Sequence, residues 1–304
     1  MISHRKVYHL KRSRILTIIC LLSALFLASC IPGKKLTVAA TATLLEEVAK
    51  SAYQQSDLKM VREGMPAYLM LMDGMVEAVP DNEQLLINAS QAYSSFASAF
   101  VEEKDQEYAL WLYSKARMYA IRALIARGLP DPLQANVDAL AKNLNDLRKN
   151  DVPYLFWAAA SWGNWIRLNL NSMEAVAELP KVELMMKKSL ELDEGYYYGG
   201  PHLFMGIWFA SRPAVAGGDL KIAQQHFRKA LEFGQGKFLM AYVYYANYYA
   251  RPARDKNLFT STLQTVLDTP ANISPELTLF NTVAKQKARD LLKHEEEYFD
   301  EDKT

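Results

Sequence analysis

Apolar residues recur along this chain at intervals of four and three, the period of helices that bury one face. The most informative stretch runs from Tyr196 to Phe233 and reads as two helices joined by a turn. The first covers roughly Pro201 to Ser211, and proline is sterically welcome in a first helical turn. The second begins after Asp219, whose carboxylate can accept from the free N–H groups of Leu220 to Ile222. Arg212, Pro213, Gly217 and Gly218 lie between them, a composition that stops helices. In the second helix Ala223, Phe227 and Ala230 share a face in the order small, aromatic, small. Gly206 and Phe209 supply the matching small and aromatic positions in the first.

The spacing returns. It appears as Tyr68, Met72, Met75, Pro80 and as Ala116, Ala120, Ala123, Gly128. It appears again as Val182, Met186, Ser189, Glu194 and as Phe259, Leu263, Val266, Ala271. Small residues let a neighbouring helix approach while the ring fills the gap, which is the logic of a tetratricopeptide (TPR) hairpin. The intervals between copies are 48, 66, 41 and 36 residues, uneven beside the about 34 of a regular TPR. An echo supports the last two copies: Ala210-Ser211-Arg212-Pro213-Ala214 matches Tyr249-Ala250-Arg251-Pro252-Ala253. Each would close a first helix, with the arginine facing the negative end of its dipole. The expected fold is all-α, TPR-like stacked helical hairpins forming an α-solenoid with irregular repeats. For the first three copies, ordinary amphipathic helices repeating at three and four are the alternative reading.

Further helices are predicted over Leu58 to Ala78, Glu83 to Val101, Glu107 to Ala126, Tyr154 to Leu170, Phe238 to Ala250 and Pro275 to Tyr298. Another is marked by Val137, Leu140, Leu144 and Leu147, and a first one by Leu44, Val48, Ser51 and Ala52. Met65, Met70, Met72 and Met75 crowd one helix, as core filler or as an adaptable greasy surface. Trp157, Trp162 and Trp165 do not form one narrow line, so core and cavity both remain open to them. The acidic tail, Glu295 to Glu297 with Asp300 to Asp302, reads as solvated.

The amino terminus changes the picture. Arg5, Lys6, Lys11, Arg12 and Arg14 precede an apolar run of 14 residues, Ile15 to Ala28, too short for a resident membrane helix. It ends in Leu27-Ala28-Ser29-Cys30, the pattern of a secretory signal peptide. Cysteine after that small pair resembles the bacterial lipobox, which implies residues 1–29 as a lipoprotein signal peptide and Cys30 as the lipidated first residue. Two or more acyl chains hold a protein stably on a membrane where one would not. Ile31 is not the aspartate associated with inner-membrane retention, so the expected location is the periplasmic side of the outer membrane. Residues 30–40 would form a lipidated tether and 41–300 the helical domain.

Cys20 and Cys30 are the only cysteines, so the mature chain has no thiol beyond its lipidation site and no disulfide. Five of the 35 basic residues precede Cys30 and no acidic one does, leaving 30 against 34, a net −4. That removes a basic stripe for nucleic acid. The mature histidines His202, His226 and His294 have no partner at metal-ligand spacing, and no nucleophile elbow, zinc-protease or phosphate-loop motif is present. No metal, no cofactor and no enzymatic activity are expected.

Chemistry places a candidate ligand site on the 196–219 segment and the helix after it. Tyr242, Tyr245 and Tyr249 share one face of that helix, while Tyr244 and Tyr248 share another. Such a helix is either buried between layers or lines something. Five hydroxyls, each wanting a partner, favour a partly wet cavity wall. The candidate ligand-binding residues are Tyr197, Tyr198, His202, Trp208 and Arg212, with Tyr242, Tyr245 and Tyr249. Gly199, Gly200, Pro201, Pro213, Gly217, Gly218 and Asp219 are structural turn residues. Arg212 suits a helix end or an anionic group, and His202 a local hydrogen bond or a ligand.

The run Gly199-Gly200-Pro201-His202, then Ala210-Ser211-Arg212-Pro213, then Gly217-Gly218-Asp219 with His226-Phe227 resembles the T-component (TatT) lipoproteins of TRAP transporters. Tyr249-Ala250-Arg251-Pro252 and the segment Asn281 to Ala288 are similar too. The resemblance implies a TPR-like periplasmic lipoprotein with a tunnel or cleft, a homotrimer being one assembly open to it. It implies a periplasmic solute-binding protein (the TRAP P-component) as partner, and a small apolar or organic-acid molecule passing between the two. The alternative is a TPR scaffold lipoprotein for envelope or outer-membrane assembly.

Overall fold

The computed structural model describes residues 33–300, and every regular element among them is helical. In order these are α1 (Gly33–Tyr53), α2 (Leu58–Ala78), α3 (Glu83–Phe96), α4 (Gln106–Ala126) and α5 (Val137–Leu144). Then come α6 (Val152–Arg167), α7 (Met173–Ala177), α8 (Leu179–Asp193), α9 (Tyr196–Ala210) and α10 (Leu220–Gly234). The chain continues with α11 (Leu239–Tyr245), α12 (Lys256–Asp268), α13 (Thr278–Lys293) and α14 (Glu295–Phe299). Two π-turns extend α3 and α11, over Ala97–Val101 and Ala246–Ala250. The expected signal peptide and Cys30 lie outside the described residues. Contacts separate Met1–Glu46 from Glu47–Thr304. Within the first unit, α1 is already helical from Gly33, so part of the expected tether is wound up at about 1.5 Å per residue.

The helices start where short polar side chains can cap them. Asp57, Asn82, Asp105, Asn136, Ser172 and Asp255 each accept from a first-turn N–H, meeting donors that have no partner inside the helix. Asp219 does the same for Lys221 and Ile222, at 2.8 and 3.0 Å.

The four-and-three spacing marks the core. Ala116, Ala120, Ala123, Val182, Met186, Ser189, Ala223, Phe227, Ala230, Phe259, Leu263 and Val266 have no exposed surface, and Met72 and Met75 are buried with them. Tyr68 is half-buried, as is Ala271, while the closing positions Pro80, Gly128 and Glu194 are exposed. Burial of Phe227 contributes about 1.5–3 kcal/mol, and Gly206 is what lets its ring in. A Cβ at Gly206 would stand 3.1 Å from three atoms of that ring. Consecutive helices pack as pairs, α3 with α4 and α9 with α10 above all. Among the tryptophans, Trp157 and Trp162 are core, while Trp165 carries the Arg117 guanidinium 3.9 Å above its ring.

One expectation changes in part, and the expected helix start near Pro201 holds. The first part of the acidic tail is not free in solvent: Glu296 and Glu295 pair with Lys256 at 2.8 and 3.5 Å, and Arg254 donates to the Tyr298 carbonyl. The start of α9 is left-handed at Tyr197, Tyr198 and Gly199 (φ 49°, 59° and 77°), so regular helix begins close to Pro201. Two tyrosines held there cost of order 1–3 kcal/mol each, which the surrounding packing must offset.

Candidate ligand-binding cavity

The turn between α9 and α10 is fixed by its backbone. Gly217 is left-handed (φ 83°), Gly218 N–H donates to the Pro213 carbonyl, and Asp219 N–H donates to the Phe209 carbonyl. A Cβ on Gly218 would lie 1.7 Å from the Arg212 carbonyl oxygen, so only glycine fits. This holds Arg212 back over its own helix. Its Nε donates to the Trp208 carbonyl at 3.2 Å, and the guanidinium lies 4.3 Å from the centre of the Trp208 ring.

Trp208 and Arg212 line a cavity of about 630 Å³ whose wall is more apolar than polar. Four elements build it: α6, α9, α11 with its π-turn, and α13, closed at one side by Tyr298 of α14. From α11 and the π-turn, Val243, Tyr244, Asn247, Tyr248 and Arg251 face it, a helical face of neighbouring turns. The π-turn Ala97–Val101 contributes Ser98, so both π-turns border this space, and such turns recur at functional sites.

Arg251 occupies in its segment the place Arg212 has in the other. Its guanidinium stacks 3.8 Å from the Tyr298 ring centre and its Nη1 donates to Asn247 Oδ1 at 3.3 Å. Each echoed arginine therefore closes a helix, lies on an aromatic face and borders the same cavity. Arg251 has no ion pair among the described residues, and Arg212 has one long one, to Glu183 at 4.0 Å. Burial lowers the Arg212 pKa, with Glu183 opposing.

The other charges in the wall are spoken for. Arg167 pairs with Glu102 at 2.7 Å, and the same Glu102 oxygen accepts from the Tyr113 hydroxyl at 2.7 Å. Burial alone would lower the Arg167 pKa; the Glu102 carboxylate more than offsets it and holds the group fully charged. Lys287 pairs with Glu103, and Asp290 with Lys293. Burial raises the pKa of Tyr244 and of Tyr248, so both hydroxyls stay neutral donors. The Trp208 indole N–H is buried with no partner among the described residues. Taken together, the wall offers two arginines on aromatic faces and apolar rings, which suits an anionic head on an apolar body.

The remaining sequence-predicted residues go elsewhere. Tyr245 is buried in the core against Phe227 (5.7 Å) and stacks on Tyr249 (5.1 Å, 4°). Tyr242 packs on the same core. Of the two tyrosine faces, it is Tyr244 and Tyr248, 5.9 Å apart, that reach the cavity. Tyr197 sits in an aromatic cluster with Phe156, Trp157 and Phe238, and burial raises its pKa strongly. Tyr198 stacks on Phe238 at 5.5 Å. His202 is buried between His226 (Nδ1 to Nδ1, 2.9 Å) and Glu194 (3.1 Å). Burial, then the His202 charge, lower the His226 pKa to about 4. Arg251, Tyr244, Tyr248 and Arg167 were not among the predicted site residues; the Arg-Pro echo was the signal that could have found Arg251. The described residues hold no cluster of His, Cys, Asp and Glu fit for a metal ion.

Helices packed in pairs around a ligand-sized, arginine-edged space define an all-α protein of the hairpin type. Residues 54–299 match the family model of the TRAP transporter T-component, and the chain belongs to that family. It is thus an accessory component of a TRAP-type transport system. No match was found among curated proteins.

Proposed function

We propose that this protein is a periplasm-facing lipoprotein, anchored through Cys30, that binds a small organic acid in the 630 Å³ cavity and docks a periplasmic solute-binding protein. The observation that carries the ligand class is the pair Arg212 and Arg251. Both are stacked on rings at the cavity; Arg251 has no ion pair among the described residues, and Arg212 has only the long one to Glu183 at 4.0 Å. Apolar burial would supply most of the affinity and the arginines the orientation. The volume lies within the about 300–1,000 Å³ usual for small-molecule pockets. A protein partner is supported by α4, where Tyr108, Trp111, Met118 and Ile125 are exposed along one face with Lys115 and Arg122 between them, Trp111 51 % and Met118 42 % exposed. The same face would serve a homotrimer.

The test is to mix the full-length chain in nanodiscs with solute-binding proteins of the same transport system and measure complex mass. A complex that Trp111→Asp abolishes, with helicity intact, supports docking. No complex with any of them moves the reading to a scaffold for envelope assembly.

A further inference from the structure

A second concavity adjoins the large cavity at Ser98, Glu103 and Lys287 and runs along a groove formed by α2, the π-turn Ala97–Val101 and α13. It has two adjoining parts. One, of about 280 Å³, is mostly apolar and is lined by Met60, Met65, Phe96, Phe100 and Phe280, with Tyr53 from α1 stacked on Phe280 at 5.2 Å. The other, of about 260 Å³, is bordered by Lys59, Arg62, Lys104 and the paired Lys287 and Glu103. The parts share Ala99 and Phe100 as a common wall. Along α13 the apolar part ends at Val283 and the basic part begins at Gln286, about one helical turn on.

Charge is uneven across this groove. Lys59, Arg62 and Lys104 have no carboxylate partner among the described residues, and Glu103, the one acid in the lining, is already taken by Lys287. A slot of rings and thioethers opening onto three uncommitted cations matches a molecule with an alkyl chain and an anionic head. The apolar part falls at the small end of the about 300–1,000 Å³ range of ligand pockets, which fits one chain better than the two of a bilayer lipid. We propose that this groove is a second binding site, for a single-chain carboxylate amphiphile. Its chain would lie among Met60, Met65, Phe96, Phe100 and Phe280, and its carboxylate at Lys59, Arg62 and Lys104. Its basic part borders the larger cavity through Ser98, Glu103 and Lys287, while its apolar part shares no lining residue with that cavity.

Three substitutions test it without threatening the fold. Lys59→Glu and Arg62→Glu change exposed residues near the start of α2, where a carboxylate suits the helix dipole. Gly64 borders the apolar part, and a Cβ there would meet nothing within 4 Å. Gly64→Leu therefore fills the slot while removing a helix-weakening glycine. The probe is a twelve-carbon carboxylate with a terminal diazirine, photolysed on the full-length chain in phosphatidylcholine nanodiscs and mapped by mass spectrometry, with the twelve-carbon alcohol analogue alongside.

The expected result is labelling within residues 60–68, 96–100 and 279–283. It should fall about tenfold with the alcohol, with Lys59→Glu/Arg62→Glu and with Gly64→Leu. Equal labelling by acid and alcohol would overturn the proposal, as would insensitivity to the substitutions. So would labelling centred on Trp208, Tyr244 and Tyr248. Suppression by added phosphatidylglycerol would assign the groove to bilayer lipid and overturn the single-chain reading.

Discussion

Gly218 and Trp208 show how much depends on single atoms near the cavity. Gly218 allows the chain to turn back over α9, because a methyl in place of its hydrogen would collide with the Arg212 carbonyl. Gly218→Ala is therefore expected to cost more than about 2 kcal/mol, read as a lowered urea midpoint, and to release Arg212 from Trp208. Trp208 keeps a buried N–H without a partner. In Trp208→Phe, removal of that unsatisfied donor opposes the loss of packing, so the melting temperature should move little. Because that N–H is closed off from the cavity, organic-acid affinity should stay within about threefold by calorimetry, and a larger fall would mean that the N–H reaches the ligand. At this scale the sequence was a partial guide. Arg212 was legible as an arginine suited to a helix end or an anionic group, while its stacking on Trp208 was not. Spacing set Tyr244 and Tyr248 on a face apart from Tyr242, Tyr245 and Tyr249, but the candidate list took the latter face. Helical spacing sorts residues into faces without saying which face meets the core.

The α9–α10 hairpin is the best-specified element and carries a pH dependence. Small, aromatic, small at four and three is a packing instruction, and Gly206 under Phe227 carries it out. Where that hairpin opens, His202 and His226 share one close contact, and His226 stacks on Phe209. The His226 pKa is lowered to about 4 by burial and by His202, below its ordinary value near 6.5. Between those values the unfolded chain binds the proton that the folded one refuses, so stability rises with pH there. Stability should thus fall as pH drops from about 6.5 towards 4, measured as a declining denaturation midpoint. His226→Phe should remove most of that decline, whereas an unaltered slope would place its origin elsewhere. The π-turns, by contrast, leave no trace in the four-and-three pattern. A single extra residue per turn is set by tertiary packing rather than by local propensity.

At the scale of the molecule, the cavity is assembled from helices far apart in sequence, and spacing within any one of them could not foretell it. The Arg-Pro echo was the one long-range signal: two segments 39 residues apart, from Arg212 to Arg251, bring like groups to one space. The all-α architecture was legible throughout, since caps, stops and apolar periods agree in nearly every helix. The central claim is that this space takes an organic acid through those two arginines. It is tested most directly by calorimetric titration of the full-length chain in nanodiscs with an organic acid and its amide on the same carbon skeleton. The account predicts that the acid binds at least about tenfold more tightly, and that Arg212→Gln/Arg251→Gln erases the difference while helicity is kept. Equal affinity for acid and amide in the unaltered protein, or a preference that survives the double substitution, would contradict it.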